Sequence, residues 1–265
     1  MRDLPMSDTP PFIAEDRFGH VARLTLQRPP NNFVSVGMVA ALAAALERLD
    51  ADPACRAVVL AAEGKHFCAG ADFGSRSEGG RGEPVERGRH LYKEAIRLWR
   101  TAKPIVAAVQ GAAIGAGLGL AVMADFRIAS PEARFSANFT RLGFHPGFGL
   151  TVTLPRLIGQ QRASLMFYTG RRLTGEDANA IGLVDQLVPQ DRLQGAALEL
   201  AAEIAQSGPL AVPATRETLR RGLAEAVQAA TEREYQEQAW LRQTDDFQEG
   251  VKAMAERRLP NFTGR

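Results

Sequence analysis

Cysteine is nearly missing from this chain. Cys55 and Cys68 are the only two in 265 residues, and no CxxC pair occurs. A disulfide framework is therefore excluded, and a reducing, cytoplasmic setting is expected. An excess of either charge is missing too: 32 basic residues face 30 acidic ones, a formal net of +2. That balance gives no electrostatic footprint for nucleic acid or for a membrane surface. Arginine supplies 28 of the basic residues, which reads as genome composition and not as function. No glycine fingerprint of the GxGxxG type opens a helix after the first strand, so a dinucleotide-binding reading has little support. No fixed-period repeat and no low-complexity linker occur. The first eleven residues, MRDLPMSDTPP, carry charge and proline where a signal peptide carries an apolar stretch, and read as a loose tail.

Long apolar runs are scarce as well. Pro104 to Ala124 is the one uncharged run long enough to reach across a bilayer. It contains four glycines, a central Gln110, and alanine where a spanning helix carries leucine. A buried strand, a glycine turn and a buried helix account for it better. The remaining composition, 45% hydrophobic and 23% charged, is that of an ordinary soluble globule.

Periodicity then orders the chain. Phe12–Glu15 and Val21–Leu26 read as strands around a turn at Asp16–Gly19. Ser35 is a candidate N-cap for a helix with Val39, Leu42, Leu46 and Leu49 on one face. Val58–Ala62, Ile105–Val109 and Phe126–Ala129 read as short buried strands. Asp72 to Gly88 is rich in glycine, serine and charge and reads as a loop, followed by a helix through Leu91, Ala95, Leu98 and Trp99. Leu150–Ile158, Arg162–Tyr168 and a segment starting at Thr174 read as helices, and Leu183–Val188 as a last strand. Beyond Pro189 only helices are expected, over Gln190–Gln206, Pro213–Leu223, Ala224–Leu241 and Phe247–Arg258. The fold class is α/β, with a core over 12–188 and a helical region over 189–265 that packs on it.

Two glycine-bearing turns carry the chemistry. Glu63 to Phe73 follows the strand at Val58, and Gln110 to Gly119 follows the strand at Ile105. Small residues where a strand ends let a ligand approach the backbone. The second turn leads into a helix, whose free N–H groups meet the positive end of its dipole. Two N–H groups converging from two such turns make an oxyanion hole. Either turn alone is explained as well by tight turning and close packing.

Taken in order, a set of segments resembles the enoyl-CoA hydratase/isomerase (crotonase) family. The set comprises Leu26-Gln27-Arg28-Pro29, Phe67-Cys68-Ala69-Gly70-Ala71-Asp72, Lys103 through Gly111, and Gly115-Ala116-Gly117. It continues through Leu142-Gly143, Pro146-Gly147, Leu154 through Gly159, Thr169-Gly170, Gly182-Leu183-Val184, and the ending Glu256 to Phe262. The resemblance implies a crotonase-like spiral of ββα units whose C-terminal helices form a trimer or a dimer of trimers. It implies an acyl-CoA substrate, with coenzyme A as part of that substrate, no further cofactor, no metal, and no nucleic-acid or membrane partner. Carried over by position, the oxyanion donors are the backbone N–H groups of Ala71 and Ala116. The acyl-CoA would contact Pro30, Asn31, Phe33, Lys65, Ala69, Gly70, Asp72, Phe73, Ala112, Ile114, Gly115, Phe139, Leu142 and Gly143. Arg257 matches a basic position that can face the CoA of a neighbouring subunit.

The departures from the family pattern are as informative. The two glutamates that add water across a double bond are replaced by Gly119 and Phe139, and neither transfers a proton. Each missing general acid or base typically costs a factor of about 10²–10⁴. Isomerase, decarboxylase or thioester hydrolase chemistry suits this chain better than hydration. His145, in Gly143-Phe144-His145-Pro146-Gly147, is the candidate acid/base; a loop histidine bonded to backbone is the competing reading. Asn138 is a candidate hydrogen-bonding partner of the substrate. Asp72 and Asp125 read as structural anchors. A non-catalytic acyl-CoA-binding or assembly protein of the same fold is the alternative to an enzyme.

Overall fold

The computed structural model describes residues 12–71 and 84–265, with only the backbone for 84–90. Its main sheet has six strands: β1 (Ile13–Phe18), β2 (Val21–Leu26), β3 (Ala57–Ala62), β4 (Ile105–Val109), β6 (Phe126–Ala129) and β9 (Gln186–Leu187), in that order. The β1–β2 pair is an antiparallel hairpin, and every later pair is parallel. A second sheet of three strands joins β5 (Ala112–Ile114), β7 (Arg134–Ser136) and β8 (Arg172–Thr174). These three strands, and the shrinking of the expected Leu183–Val188 strand to two residues, differ from the sequence expectation. Strands this short show no periodicity, and Leu183 and Val184 instead donate to the Ala178 carbonyl, closing the preceding helix.

The central strands show why this order forms. In β3 all six residues are buried, and they alternate between two clusters. Val58, Leu60 and Ala62 join the larger core, and Ala57, Val59 and Ala61 join a smaller one on the other face. Period-two alternation between two apolar layers is what a parallel strand covered on both faces requires. The larger core packs against α1 (Val36–Ala51), whose N-cap Ser35 accepts from the Met38 N–H as expected. The other face is covered by α7 (Leu193–Gln206). Thus part of the helical region beyond residue 189 forms one layer of the core itself.

Five more helices frame the site. Helix α2 (Pro84–Trp99) begins inside the segment expected to be a loop, with proline at its first position, where a missing N–H costs nothing. Residues 72–83 lie outside the described residues. Helix α3 (Ala116–Met123) follows the second glycine turn, α4 spans Leu150–Ile158, and α9 (Leu223–Leu241) packs against α2 and α4. The last helix, α10 (Asp245–Ala255), sits on the turn at Asn138–Leu142. A Cβ at Gly250 would lie 2.5 Å from the Leu142 carbonyl carbon, so glycine permits that contact.

Asp125 proves to be an anchor, as expected. Its carboxylate accepts from the Ile105 N–H at 2.8 Å, from Arg216 Nε at 2.8 Å and from Arg220 Nη1 at 2.9 Å. It thereby ties the helix α8 (Ala211–Leu219) and the residue after it to the end of the sheet.

Candidate active site

The two glycine turns are stitched together by backbone hydrogen bonds. Cys68 N–H donates to the Ala112 carbonyl at 2.8 Å, and Ile114 N–H donates to the Cys68 carbonyl at 3.1 Å. The approach is closer than any side chain allows. A Cβ at Gly117 would lie 2.1 Å from the Cys68 oxygen, and one at Gly111 would lie 2.2 Å from the Lys65 oxygen. Gly70 and Gly115 both have positive φ, at +97° and +55°. His66 adds a clamp: its Nδ1 accepts from the Ala112 N–H at 3.1 Å, and burial together with Lys65 pushes its pKa down. This imidazole is therefore structural, as is Cys68, whose thiol is pushed up to about 12 by burial.

The stitching leaves two donors unspent. Among the described residues, neither the Ala71 nor the Ala116 N–H has a backbone partner. Ala116 is the first residue of α3, where the positive end of the helix dipole adds to its N–H. Both residues line one cavity of about 460 Å³, together with Ala69, Gly70, Ile114 and Gly115. Phe33, Phe139, Leu142, Phe144 and Phe148 supply its apolar wall, and Met254 and Ala255 come from the last helix. The polar lining is Asn138, Tyr92, Gln238 and Arg242. Among the described lining residues there is no carboxylate and no imidazole.

Gly119 and Phe139, where the resemblance implies glutamates, are both closely packed. Phe139 itself lines the cavity, with its ring edge-on to Phe144 at 5.6 Å between centroids. At Gly119 a Cβ would lie 2.5 Å from Cδ1 and 2.9 Å from Cγ of Phe148. Phe148 is only 1% exposed and holds a left-handed φ of 64°. Its ring occupies the space a side chain at 119 would enter.

A second cavity, of about 700 Å³, adjoins the first and shares Ala69, Ile114, Asn138 and Met254 with it. Lys65, His66, Ala112, Arg134 and Arg172 line it, a basic setting suited to phosphate groups. Arg257 lines a further pocket with Asn138, Arg141 and Arg172, on the same chain as the site and beside its mouth. Asn31 contributes through its carbonyl, which accepts from the Ala69 N–H at 2.8 Å, and Pro30 packs beside Gly64. Asp72 and Phe73 lie outside the described residues.

His145 and Gly143 are not part of the apolar cavity. They line a separate one of about 620 Å³, with Thr140, Tyr168, Trp240 and Phe262. The His145 Nδ1 lies 2.8 Å from the Pro146 carbonyl, and its own carbonyl accepts from Gln238 Nε2. The structure thus places the expected acid/base in a different cavity from the oxyanion donors, with Phe144 lining both. Gly143 serves packing: a Cβ there would lie 2.6 Å from the Asp246 oxygen.

Tyr92, Gln238 and Arg242 escape the sequence reading. The signal for Gln238 and Arg242 is a stripe on α9: Leu223, Val227, Thr231, Glu234 and Gln238 form its buried face, while Tyr92 lies on α2. The stripe is apolar at its start and polar at its end. Polar residues at helical spacing usually mark a solvated face, and here they mark a buried one. Glu234 accepts from Gly149 N–H at 2.8 Å, Thr151 N–H at 3.1 Å and Thr151 Oγ1 at 2.6 Å, capping α4. Gln238 accepts from the Tyr92 hydroxyl at 2.9 Å.

Among the described residues, no group of histidine, cysteine, aspartate and glutamate side chains could hold a metal ion. None of the described helices is long and apolar enough to cross a membrane.

Comparison with known proteins points to one family. A sequence model described as enoyl-CoA hydratase/isomerase matches residues 16–265. The 2,3-dehydroadipyl-CoA hydratase of Escherichia coli strain K12 is 35% identical over 246 residues, covering 92% of this chain and 96% of that protein. Among solved structures, an enoyl-CoA hydratase/isomerase from Pseudoalteromonas atlantica T6c superposes with a TM-score of 0.84 at 33% identity, covering 95% of this chain and 100% of the other. A carnitinyl-CoA hydratase from Mycobacterium avium gives 0.84 at 33% identity, covering 97% and 100%.

Proposed function

The chain belongs to the enoyl-CoA hydratase/isomerase family, and we propose that it activates acyl-CoA thioesters toward an enolate without working as an ordinary hydratase. The observation that carries this reading is one cavity bordered by the unspent N–H groups of Ala71 and Ala116, with Gly119 and Phe139 where hydration needs carboxylates. In this reading the thioester oxygen accepts from both N–H groups. Negative charge that builds on it in the transition state is stabilised by fixed donors and by the α3 dipole. The basic cavity through Lys65, Arg134 and Arg172 receives CoA phosphates, and Asn138 lies at the junction of the two cavities.

Addition of water needs one group to deliver hydroxide and another to deliver a proton. Decarboxylation asks less, because the breaking C–C bond supplies the electron pair and the oxyanion hole accepts it. Double-bond migration needs one base, and thioester hydrolysis needs an attacking water. These three chemistries fit the described cavity better than hydration does. The same lack of acid/base groups also favours a second reading, a non-catalytic acyl-CoA-binding or assembly protein. Self-association belongs to either reading: Tyr168 and Trp240 beside the His145 cavity, and Leu219 at the end of α8, are 78%, 54% and 69% exposed, an apolar surface of the kind that marks interfaces. We place the protein in the cytoplasm as a trimer or hexamer.

A panel of acyl-CoAs tests the reading. Decarboxylation, 3-enoyl isomerisation, hydrolysis or α-proton exchange in D2O should appear, and Ala116→Pro should abolish it. Binding of acyl-CoA with none of these activities would favour the assembly protein, and absence of binding would end both readings.

A further inference from the structure

Arg242 is a cation with no anion among the described residues. It follows the last turn of α9 and lines the same cavity as Ala71 and Ala116. Its guanidinium lies over the ring of Phe144, 5.4 Å from the centroid, and 6.0 Å from that of Phe247. Among the described residues it makes no side-chain hydrogen bond and no ion pair. Its described neighbours in the cavity supply no negative charge. The Tyr92 hydroxyl is spent on Gln238, and Gln238 is spent on Tyr92 and on the His145 carbonyl. Burial holds the Tyr92 phenol above its ordinary range, so it stays neutral. Arg127, Arg216 and Arg220, which are also drawn into the described interior, each meet an aspartate, and Arg56 donates to the Ala205 carbonyl.

A partly buried guanidinium is costly unless it is paired. The two aromatic faces and the C-terminal end of the helix dipole offset part of that cost. Neither uses the planar fork of N–H donors, whose natural complement is a carboxylate. Apart from Asn138, and from Tyr92 and Gln238, which are bonded to each other, the rest of the described wall is apolar, so a carboxylate on the ligand meets no other cation there.

We propose that Arg242 is a specificity-determining residue that pairs with a carboxylate carried on the acyl group, so that the substrates are carboxyacyl-CoA thioesters and not plain fatty acyl-CoAs. This rests on the acyl-CoA reading of the cavity. Arg242 does not touch the reacting thioester in this account; it selects which acyl group stays.

Equilibrium binding to the full-length protein tests it. Succinyl-, glutaryl- and adipyl-CoA are compared with butyryl-, pentanoyl- and hexanoyl-CoA, each pair matched in chain length. At least one carboxylated ligand should bind about tenfold or more tightly than its neutral match, the order expected of one charge-assisted contact. Arg242→Met should erase that ratio, and Arg242→Lys should retain part of it, which separates lost charge from lost packing. Ratios near one for all three wild-type pairs, or a ratio that survives Arg242→Met, would overturn the proposal while leaving the acyl-CoA reading intact. Failure of every ligand in both series to bind would overturn both.

Discussion

Restoring a glutamate at position 119 should fail, and the reason lies in Phe148. A Cβ at Gly119 would sit 2.5 Å from Phe148 Cδ1, 2.9 Å from Cγ and 3.0 Å from Cβ. The Phe148 ring is buried and its backbone is held at φ 64°, so it has little room to yield. Overpacking of this kind costs about 1–3 kcal/mol. A carboxylate pushed into the same space adds a desolvation cost, so Gly119→Glu should lose at least about 2 kcal/mol by urea denaturation. Phe148→Ala alone should lose about 3–5 kcal/mol, through lost burial and the cavity left behind. The two changes should not add. With the ring gone, the side chain at 119 has a place to go, and the double variant should be at least about 1 kcal/mol more stable than the sum predicts. Additivity within about 0.5 kcal/mol would show that the ring does not occupy that space, and the account of the lost glutamate would fall.

Ala116→Pro should remove one oxyanion donor while keeping helix α3, because proline is well accepted at a first helical position; turnover should drop by about 10²–10³, and an unchanged rate in a folded variant would show that this N–H is not used. Asp125→Ala leaves Arg216 and Arg220 without their carboxylate, so stability should fall by about 3–5 kcal/mol; a loss under about 1 kcal/mol in denaturant would contradict the anchor. Burial pushes the Glu234 carboxyl up, against the opposing pull of its hydrogen bonds to Thr151 and Gly149. A carboxyl held above its unfolded value favours the folded state while protonated, so the contribution is full below about pH 4 and fades as pH rises through the folded value. The stability of the wild type relative to Glu234→Gln should therefore decline with rising pH above about 4, and a difference that grows would reverse the assignment. Light scattering at micromolar concentration should give a mass above that of one chain, and a monomer would remove the role given to the exposed Tyr168 and Trp240 surface.

The parts legible in the sequence are those set by local pattern. The unbroken apolar run Val58–Ala62, the Ser35 cap and the two glycine turns each state a local requirement of the backbone, and the structure meets it. That Gly119 and Phe139 stand where the resemblance implies glutamates is read from the sequence without any coordinates. Three features depend on contacts between distant segments and were not legible. Nothing in the local sequence of Phe148 says that its ring faces Gly119, because α3 and α4 meet only in the folded chain. The polar run Thr231, Glu234, Gln238 and Arg242 looks like a solvated helix face until α2 and α4 cover it. His145 precedes the expected Pro146-Gly147 turn, yet its ring lines a different cavity from Ala71 and Ala116, because which cavity a loop side chain faces is decided by packing between distant segments.

Hydration of crotonyl-CoA, followed by loss of the enoyl thioester absorbance, tests the central claim most directly. The account predicts a rate below that of a hydratase with both glutamates by at least about 10⁴, since two proton-transfer groups are absent and each is worth about 10²–10⁴, together with binding of the CoA thioester by the same preparation. Hydration within about tenfold of such an enzyme would contradict the claim that Gly119 and Phe139 decide what this site cannot do.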